Sequence, residues 1–434
     1  MRVCGAIYEV ASNKSTRSLV FLVIGSVLII VCICCVNLLL PTAALAQRRQ
    51  SQRQGAPGKS KSTGTSAQSQ TSSAEFDLIV KQADEARTGG RLDEAIEGYR
   101  KAVSLRRSWA EGWWYLATLL YSQDHYAEAA QAFARTTDLQ PKAGASWAML
   151  GLCEYQLGRY DDALGHIYQA RRLGLLNNPE LIRVLIYHEG LLLLLRGDFE
   201  TAYQRFGTLA YEGMTTEDLI IALGLSALRI PIPPAQIAPS HRDHDLIRRV
   251  GWAELQSAQK NRADAQQEYE RILADFPKAP NVQYAFGRFL LNSRRDDEAA
   301  LKAFQREIEN APDSAVARIQ IAYLKLKNKE TADGIPYAEE ALKLSPRNAI
   351  GHYILGRLLF DAGQNNRSIK ELEGAQQLAP EAPNIYFALA RAYTRANRKA
   401  DADRARENFT RLNKKAEEFD NKGFFISGDE PSPK

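Results

Sequence analysis

Residues 349–382 read AIGHYILGRLLFDAGQNNRSIKELEGAQQLAPEA, and the spacing of small, apolar and proline residues in this segment indicates the fold. It contains a small residue, Gly356, then a second small residue twelve positions later, Ser368, and an aliphatic residue four positions after that, Leu372. Pro380 follows the amphipathic pattern, at a place where proline stops a helix. The stretch therefore predicts one helical hairpin.

The same spacing returns along most of the chain. Small residues recur in steps of 34 at Ala83, Ala117 and Gly151, and the pattern resumes in steps of 34 or 35 at Ala253, Gly287, Ala322, Gly356 and Ala390. Their partners twelve or thirteen positions later are Ala95, Ala129, Ala163, Ala265, Ala300, Gly334, Ser368 and Ala402. Prolines close four successive units at Pro277, Pro312, Pro346 and Pro380. With a fourth unit centred on Gly190, the chain predicts nine hairpins in tandem.

These residues resemble the tetratricopeptide repeat, whose pattern is W-x2-L-G-x2-Y, then A-x3-F, then P. In the second unit the matching residues are Trp113, Leu116, Ala117, Leu120, Ala129, Phe133 and Pro141. The resemblance implies an all-α fold, a right-handed α-solenoid whose concave groove is lined by the first helix of each hairpin. Small residues are needed because a larger side chain would push the two helices of a hairpin apart.

The pattern is interrupted twice and divides the chain. An insertion near 175–179 precedes the fourth unit, and 211–245 contains no repeat. In this second segment a helix is predicted from Thr215, with Asp218 completing a capping box, and it ends at a run of prolines. We predict repeats at 76–210, a connector at 211–245, repeats at 246–416 and a C-terminal tail at 417–434. The connector is either a hinge or part of one continuous superhelix.

The first 46 residues are typical of an export signal. Basic residues precede an apolar run that begins at Leu19 and ends at Leu40, and Ala44 and Ala46 provide the small residues that a signal peptidase requires. Cleavage after Ala46 would release the protein, whereas the apolar run 19–40 is long enough to remain as an inner-membrane anchor. Either outcome predicts a periplasmic or cell-envelope location.

Charge is distributed unevenly. The formal net charge is +5, of which the first 46 residues carry +2 and the segment 47–73 carries +5, leaving −2 for the rest of the chain. The segment 47–75 is rich in serine and glutamine and predicts a disordered linker, able to lie on anionic lipid at a membrane. The repeats have no bulk attraction for nucleic acid, so no nucleic-acid partner is expected.

Motifs for nucleotide or zinc binding are incomplete. GAPGKS at 55–60 resembles a phosphate loop, but the first glycine of that motif would fall on Arg53 and no strand precedes it. His188 and Glu189 begin an HExxH pattern whose second histidine is replaced by Leu192. Neither motif predicts a cofactor.

One histidine cluster and one cysteine remain as candidates for chemistry. The cluster contains His241, Asp243, His244 and Asp245, whose imidazoles and carboxylates suit a divalent metal, although a solvated helix start is the preferred interpretation. Cys153 lies within an apolar helix pattern and is expected to be a buried, inert thiol. We therefore predict no catalytic residues, no metal, no cofactor and no enzyme activity.

The resemblance implies groove residues at the second, fifth, ninth and twelfth positions of each first helix. In the N-terminal half these are Trp114, Tyr121, Tyr155 and Tyr187. In the C-terminal half they are Tyr284, Arg288, Tyr323, Tyr353, Arg357, Phe360, Phe387 and Arg391. Aromatic and arginine side chains are enriched at interface hot spots. The three arginines predict an acidic or carboxylate-bearing partner segment, unless they pair with acidic neighbours along the solenoid.

The sequence thus predicts a non-enzymatic adaptor of the cell envelope that binds a protein or peptide partner. The departures from the chaperone-binding repeats, which use lysine and asparagine at the fifth and ninth positions, argue against a chaperone tail as ligand. Two alternatives are a membrane-tethered structural element that self-associates and an accessory subunit of an envelope biosynthesis or secretion system. The partner and the oligomeric state are left open.

Overall fold

The computed structural model describes residues 65–175 and 178–419, and all regular secondary structure in these two ranges is helical. The predicted export signal, most of the predicted linker and residues 420–434 lie outside the described residues. Within the described ranges, no helix combines the length and the apolar character needed to cross a membrane.

Nineteen α-helices follow one another along the described chain. They are α1 (Thr65–Thr88), α2 (Leu92–Leu105), α3 (Ala110–Ser122), α4 (Tyr126–Leu139), α5 (Gly144–Gln156), α6 (Tyr160–Leu173), α7 (Pro179–Arg196), α8 (Phe199–Tyr211), α9 (Glu217–Ala227), α10 (His244–Ala258), α11 (Arg262–Asp275), α12 (Val282–Phe289), α13 (Asp297–Asn310), α14 (Ala315–Lys327), α15 (Thr331–Leu344), α16 (Ala349–Asp361), α17 (Asn365–Leu378), α18 (Pro383–Arg395) and α19 (Lys399–Phe419). A 3₁₀ turn at Pro234–Gln236 precedes α10, and a π-helical turn at Leu290–Arg294 follows α12.

The predicted all-α solenoid of helical hairpins is confirmed. Helices α1 to α8 pair as four hairpins and α10 to α19 pair as five, with α9 between them. The described residues form two compact units, one up to His188 and the other from Glu189 onward, and this division falls inside α7. Each unit has its own core of buried aliphatic and aromatic side chains.

A hydrogen bond to the chain six residues upstream recurs in four hairpins and fixes the start of the first helix. In the second and third hairpins, Trp113 Nε1 donates to the Arg107 carbonyl and Trp147 Nε1 donates to the Pro141 carbonyl, both at 3.0 Å. The corresponding donors in the eighth and ninth hairpins are His352 Nε2 and the Tyr386 hydroxyl. The regular recurrence of tryptophan therefore reflects a structural contact that ties each helix to the preceding turn.

Small residues allow the close packing that the sequence predicts. A Cβ atom placed on Gly287 would lie 2.5 Å from the Phe304 ring, and one on Gly356 would lie 2.6 Å from Leu372 Cγ. Both distances are shorter than any van der Waals contact, so the first and second helices of these hairpins pack at a separation that only glycine permits.

The sixth hairpin contains one extra residue, which is accommodated within its first helix and the following turn. Thirteen residues separate Gly287 from Ala300, whereas twelve separate Ala253 from Ala265 in the preceding hairpin. The π-helical turn at Leu290–Arg294 lies between Gly287 and Ala300, and a π turn accommodates one residue more than the α-helical ladder does. The hairpin consequently keeps its packing, with Phe304 against Gly287.

The predicted connector contains a fully packed helix, α9, whose residues from Leu219 to Ala227 are all buried. Its N-cap is Thr216, whose hydroxyl accepts a hydrogen bond from the Leu219 amide, so the predicted start at Thr215 is corrected by one residue. Helix α9 crosses α10 at Gly224 and Gly251, where an added Cβ atom would lie 2.0 Å and 1.8 Å from carbonyl oxygens of the opposite helix.

The first helix begins earlier than the sequence predicts. Helix α1 starts at Thr65, within the segment 47–75 that is predicted as disordered linker. Between Thr65 and Thr88 there is no glycine or proline, so nothing in the local sequence stops the helix from extending toward its N-terminus.

Candidate functional site

Four of the predicted groove residues belong to the first unit. Tyr121 is buried and packs edge-on against Tyr126, with ring centroids 5.3 Å apart, and burial raises the pKa of its hydroxyl. The assignment of Tyr121 to a partner-binding surface is therefore corrected, because its ring is part of the core.

The other three are half-buried. The Trp114 ring packs against Phe133 at 5.4 Å, and the Tyr155 and Tyr187 rings contact the two sides of the buried His188 at 4.9 Å and 5.8 Å. Burial raises the pKa of Tyr155 to about 12. These three rings combine core packing with a partly exposed edge, so their role as partner contacts stays a prediction.

In the second unit, Tyr284 and Arg288 are buried, which corrects their assignment to the groove. Arg288 Nη1 lies 3.3 Å from Glu200 Oε2, and the Tyr284 hydroxyl donates to Glu200 Oε1 at 2.7 Å. Burial opposes the charge of Arg288, but Glu200, Tyr284, Tyr203 and Glu254 together outweigh burial and raise the pKa of the guanidinium. For this arginine, pairing with an acidic neighbour along the solenoid is the correct alternative.

The same region holds a second buried carboxylate. Glu254 on α10 accepts hydrogen bonds from the Tyr203 and Tyr269 hydroxyls at 2.6 Å and 2.7 Å, and burial raises its pKa. The Arg288 guanidinium lies over the Tyr203 ring at 4.2 Å. The network joins α8, α10, α11 and α12 through buried hydrogen bonds and the Arg288–Glu200 ion pair, which is an arrangement for stability rather than for ligand exchange.

An open surface is found on the first helices of the last three hairpins, α14, α16 and α18, which contact one another in that order. Each presents a large apolar side chain to solvent: the exposed fractions are 42% for Tyr323, 55% for Ile350 and 50% for Phe387. Ile350 lies at the second repeat position, and an interpretation that weighted aromatic and arginine side chains missed it. We call this surface the C-terminal face.

Arginines accompany the apolar side chains. On α16, Arg357 Nη1 donates to the Tyr353 hydroxyl at 2.9 Å. On α18, the guanidinium groups of Arg391 and Arg395 lie 4.9 Å and 3.7 Å from the centroid of the Phe360 ring. Phe360 is buried beneath them, so its direct contact with a partner is corrected to a supporting role.

The charges of this face are not neutralised internally. Within the described part of the chain, no carboxylate pairs with Arg357, Arg391 or Arg395, and the buried Arg357 Nε atom has no hydrogen-bond acceptor. Residues 350, 353, 357 and 360 are spaced three or four apart and so share one side of α16. The C-terminal face therefore combines three guanidinium groups with exposed apolar side chains, a combination suited to an acidic segment that also carries large apolar residues.

The candidates for chemistry are accounted for by structural contacts. His241 Nδ1 accepts a hydrogen bond from the Asp243 amide, and Asp243 occupies the N-cap position of α10 without a side-chain capping bond. The described residues include no group of three or more His, Cys, Asp or Glu side chains arranged to hold a metal ion. The Cys153 thiol is buried as expected, and burial raises its pKa.

Comparison with known proteins agrees with this architecture. A family model of the tetratricopeptide repeat matches residues 80–136, 116–174, 250–315, 319–383 and 355–408, which together make up more than half of the chain. The chain belongs to the tetratricopeptide repeat family, whose members are generally non-enzymatic scaffolds for protein–protein interaction.

Individual relatives are distant. The chain is 25% identical over 142 residues to anaphase-promoting complex subunit 3 of Schizosaccharomyces pombe, a match that covers 31% of this chain and 21% of that protein. The chain thus spans about a fifth of the length of this curated relative. Among solved structures, MamA 41-end from Desulfovibrio magneticus RS-1 is 21% identical over 40% of this chain and 97% of its own, with a TM-score of 0.33. The APC/C hetero-tetramer Cut9-Hcn1 is 11% identical over 79% of this chain and 88% of its own, with a TM-score of 0.36.

Proposed function

We propose that this protein is a non-enzymatic adaptor that binds an extended, acidic segment of a partner protein on the C-terminal face. The observation that carries the proposal is the set of three guanidinium groups, on Arg357, Arg391 and Arg395, that lack a carboxylate partner within the described residues. A cation left beside exposed apolar surface gains most from a ligand that supplies both a carboxylate and apolar contact.

The dimensions of the face favour a peptide. Neighbouring helix axes lie about 8–10 Å apart, so the inner sides of α14, α16 and α18 extend over roughly 20 Å. An extended strand rises about 3.3 Å per residue, so this length suits a segment of about six residues. Tyr323, Ile350 and Phe387 lie on the first helices of three successive hairpins, and each offers one apolar contact.

The location proposed for this adaptor is the cell envelope. The support is the sequence of residues 1–46, which is typical of an export signal that is either cleaved after Ala46 or retained as an anchor through the apolar run 19–40. The basic segment 47–73 would lie next to the membrane if the anchor is retained. The charge of −2 on the rest of the chain supports a protein partner rather than a nucleic acid.

A peptide array tests the binding proposal. The full chain is applied to aromatic peptides that carry glutamate or aspartate, and to matched peptides in which each acid is replaced by its amide. We expect binding to the acidic set, and a loss of about tenfold in affinity for each charge-assisted contact removed by the amides. The binding should weaken with added salt, since the guanidinium groups of the face are partly solvated.

Two variants locate the binding. Arg357→Glu with Arg391→Glu reverses the charge of the C-terminal face, whereas Arg306→Glu with Arg347→Glu makes the same change in net charge at exposed residues on α13 and in the turn before α16. The first pair should abolish binding of the acidic peptides and the second should leave it intact. Equal binding of acidic and amide peptides, or equal loss in both variants, would exclude the C-terminal face as the site.

A further inference from the structure

We infer that residues 424–430 of this chain occupy the C-terminal face along α18 until a partner displaces them. The inference rests on the proposed function, since it uses the same surface. Residues 423–430 read GFFISGDE and lie outside the described residues, directly after α19. Two phenylalanines and an isoleucine are followed by an aspartate and a glutamate, which is the combination of apolar and acidic side chains that this face suits.

The side of α18 that carries Phe387 and Arg391 is open along its whole length. Asn384, Phe387, Arg391 and Thr394 recur at helical spacing and are all exposed. No further hairpin of the described chain covers this helix. Its surface begins with an amide and an aromatic ring and continues toward the C-terminus of α18 with the guanidinium groups of Arg391 and Arg395.

The end of α19 places the following residues beside the start of α18. The two helices run antiparallel as a hairpin, and Lys415 Nζ donates to Glu381 Oε1 at 2.6 Å, which brings the last turns of α19 next to the residues that precede α18. Earlier along α19, the Phe409 ring contacts the Phe387 ring at 5.6 Å. The chain therefore leaves α19 near the N-terminal end of the open side of α18.

The chain after α19 is long enough to fold back along α18. From Phe409 to Phe419 the helix advances about 15 Å beyond the Phe387 ring, at 1.5 Å per residue. The five residues from 419 to 424 span at most about 17 Å when extended, and Gly423 permits a sharp reversal. Phe424 and Phe425 can therefore reach the Phe387 ring.

The order of aromatic and acidic residues in 423–430 matches the order of the aromatic ring and the arginines along α18. A chain that runs from the N-terminal to the C-terminal end of α18 meets Phe387 first and the arginines afterwards. In 423–430 the aromatic residues come first, and Asp429 and Glu430 follow four to six residues later. On α18, Arg391 and Arg395 lie about 6 Å and 12 Å beyond Phe387. The two acids thus fall within side-chain reach of the two guanidinium groups when the apolar residues contact Phe387.

Photocrosslinking in the full chain tests the inference. Phe425 is replaced by the photoreactive analogue p-benzoylphenylalanine, and adducts are mapped by mass spectrometry after proteolysis. We expect intrachain adducts within 384–395, with a yield that does not depend on protein concentration. Arg391→Glu should lower this yield about fivefold, since it replaces an attractive charge contact with a repulsive one. Combining Arg391→Glu with Glu430→Arg should restore it.

The control is Arg306→Glu on α13. It changes the net charge by the same amount as Arg391→Glu and should leave the crosslinking yield unchanged. Adducts spread over other helices, an adduct insensitive to Arg391→Glu, or interchain adducts that increase with concentration would each overturn the inference. The last of these results would assign the segment to a second copy of the chain. If no crosslink to 384–395 forms but acidic peptides still bind, this inference alone is wrong. If the crosslink forms but acidic peptides do not bind, the proposed partner function alone is wrong.

Discussion

Arg288 Nη1 lies 3.3 Å from Glu200 Oε2, and this pair joins α12 to α8 inside the second unit. Arg391 occupies the same repeat position three hairpins later, but there it is exposed and has no carboxylate partner among the described residues. One repeat position therefore serves stability in one hairpin and supplies a free charge in another.

This contrast predicts opposite effects of the same substitution. Arg288→Leu should reduce the free energy of unfolding of the second unit by about 2–4 kcal/mol, because it leaves the Glu200 carboxylate without its cation. Arg391→Leu should change stability by less than about 0.5 kcal/mol while weakening acidic-peptide binding. Urea unfolding followed by circular dichroism measures the first quantity and fluorescence anisotropy the second. Equal destabilisation by both variants would contradict the division of roles.

The glycine crossing of α9 and α10 predicts a strong steric effect from one methyl group. In Gly224→Ala the Cβ atom would lie 2.0 Å from the Ile247 carbonyl oxygen, so the helices must separate. We expect a loss of about 2 kcal/mol or more, as in overpacked cores. Gly207→Ala on α8 is the matched control, since its Cβ would meet no atom within 4 Å, and alanine should stabilise that helix by about 0.5–1 kcal/mol. Denaturation midpoints of the two variants provide the comparison.

The first unit should become less stable as pH rises through the His166 titration. His166 Nδ1 donates to Glu154 Oε2 at 2.6 Å, and this hydrogen bond raises the histidine pKa above its ordinary value of 6.5. A raised folded-state pKa contributes stability that is complete below the unfolded-state pKa and is lost above the folded-state pKa. The difference in stability between the natural chain and His166→Gln should therefore be larger at about pH 6 than at about pH 8. A constant or inverted difference would show that the pair does not stabilise the charged imidazole.

Cys153 should not react with thiol reagents in the folded protein. The thiol is fully buried and its pKa is raised by burial, so neither access nor the thiolate form is available. Peptide mass mapping after iodoacetamide treatment should find residue 153 unmodified in buffer and alkylated in urea. Rapid labelling without denaturant would mean that the third hairpin opens locally.

The hairpins and their packing were predictable because their signals are local. Small residues such as Gly356 mark where two helices of one hairpin touch, and the hairpin lies within a single repeat. The repeat pattern, with its fourth unit displaced by an insertion, therefore predicted nine hairpins correctly. The thirteen-residue step after Gly287 is visible in the sequence, but its structural form, a π-helical turn, depends on how the chain keeps Phe304 in contact with that glycine.

Exposure of individual groove residues was not predictable from repeat position. The sequence does not show that Glu200 approaches Arg288, because the two residues lie on different hairpins and helices α9 to α11 separate these hairpins along the chain. Phe360 is covered by arginines from the following hairpin, a contact that depends on the side-chain directions of both. Ile350 was overlooked because a single exposed aliphatic residue in a helical pattern gives no signal of its own.

Helix α9 also bears on how an array of this kind changes length during evolution. Duplication or loss of a 34-residue unit between Ala315 and Leu378 would leave each hairpin with an equivalent neighbour, since α14 to α17 are built alike. Among the described hairpins from α10 onward, the crossing at Gly224 and Gly251 has no counterpart, and an exchanged repeat would place a side chain where only a hydrogen atom fits. Recombination of whole repeats should thus be tolerated downstream of α10 and be selected against at α9. The position of α9 can therefore serve as the reference point for aligning homologous chains that differ in their number of repeats.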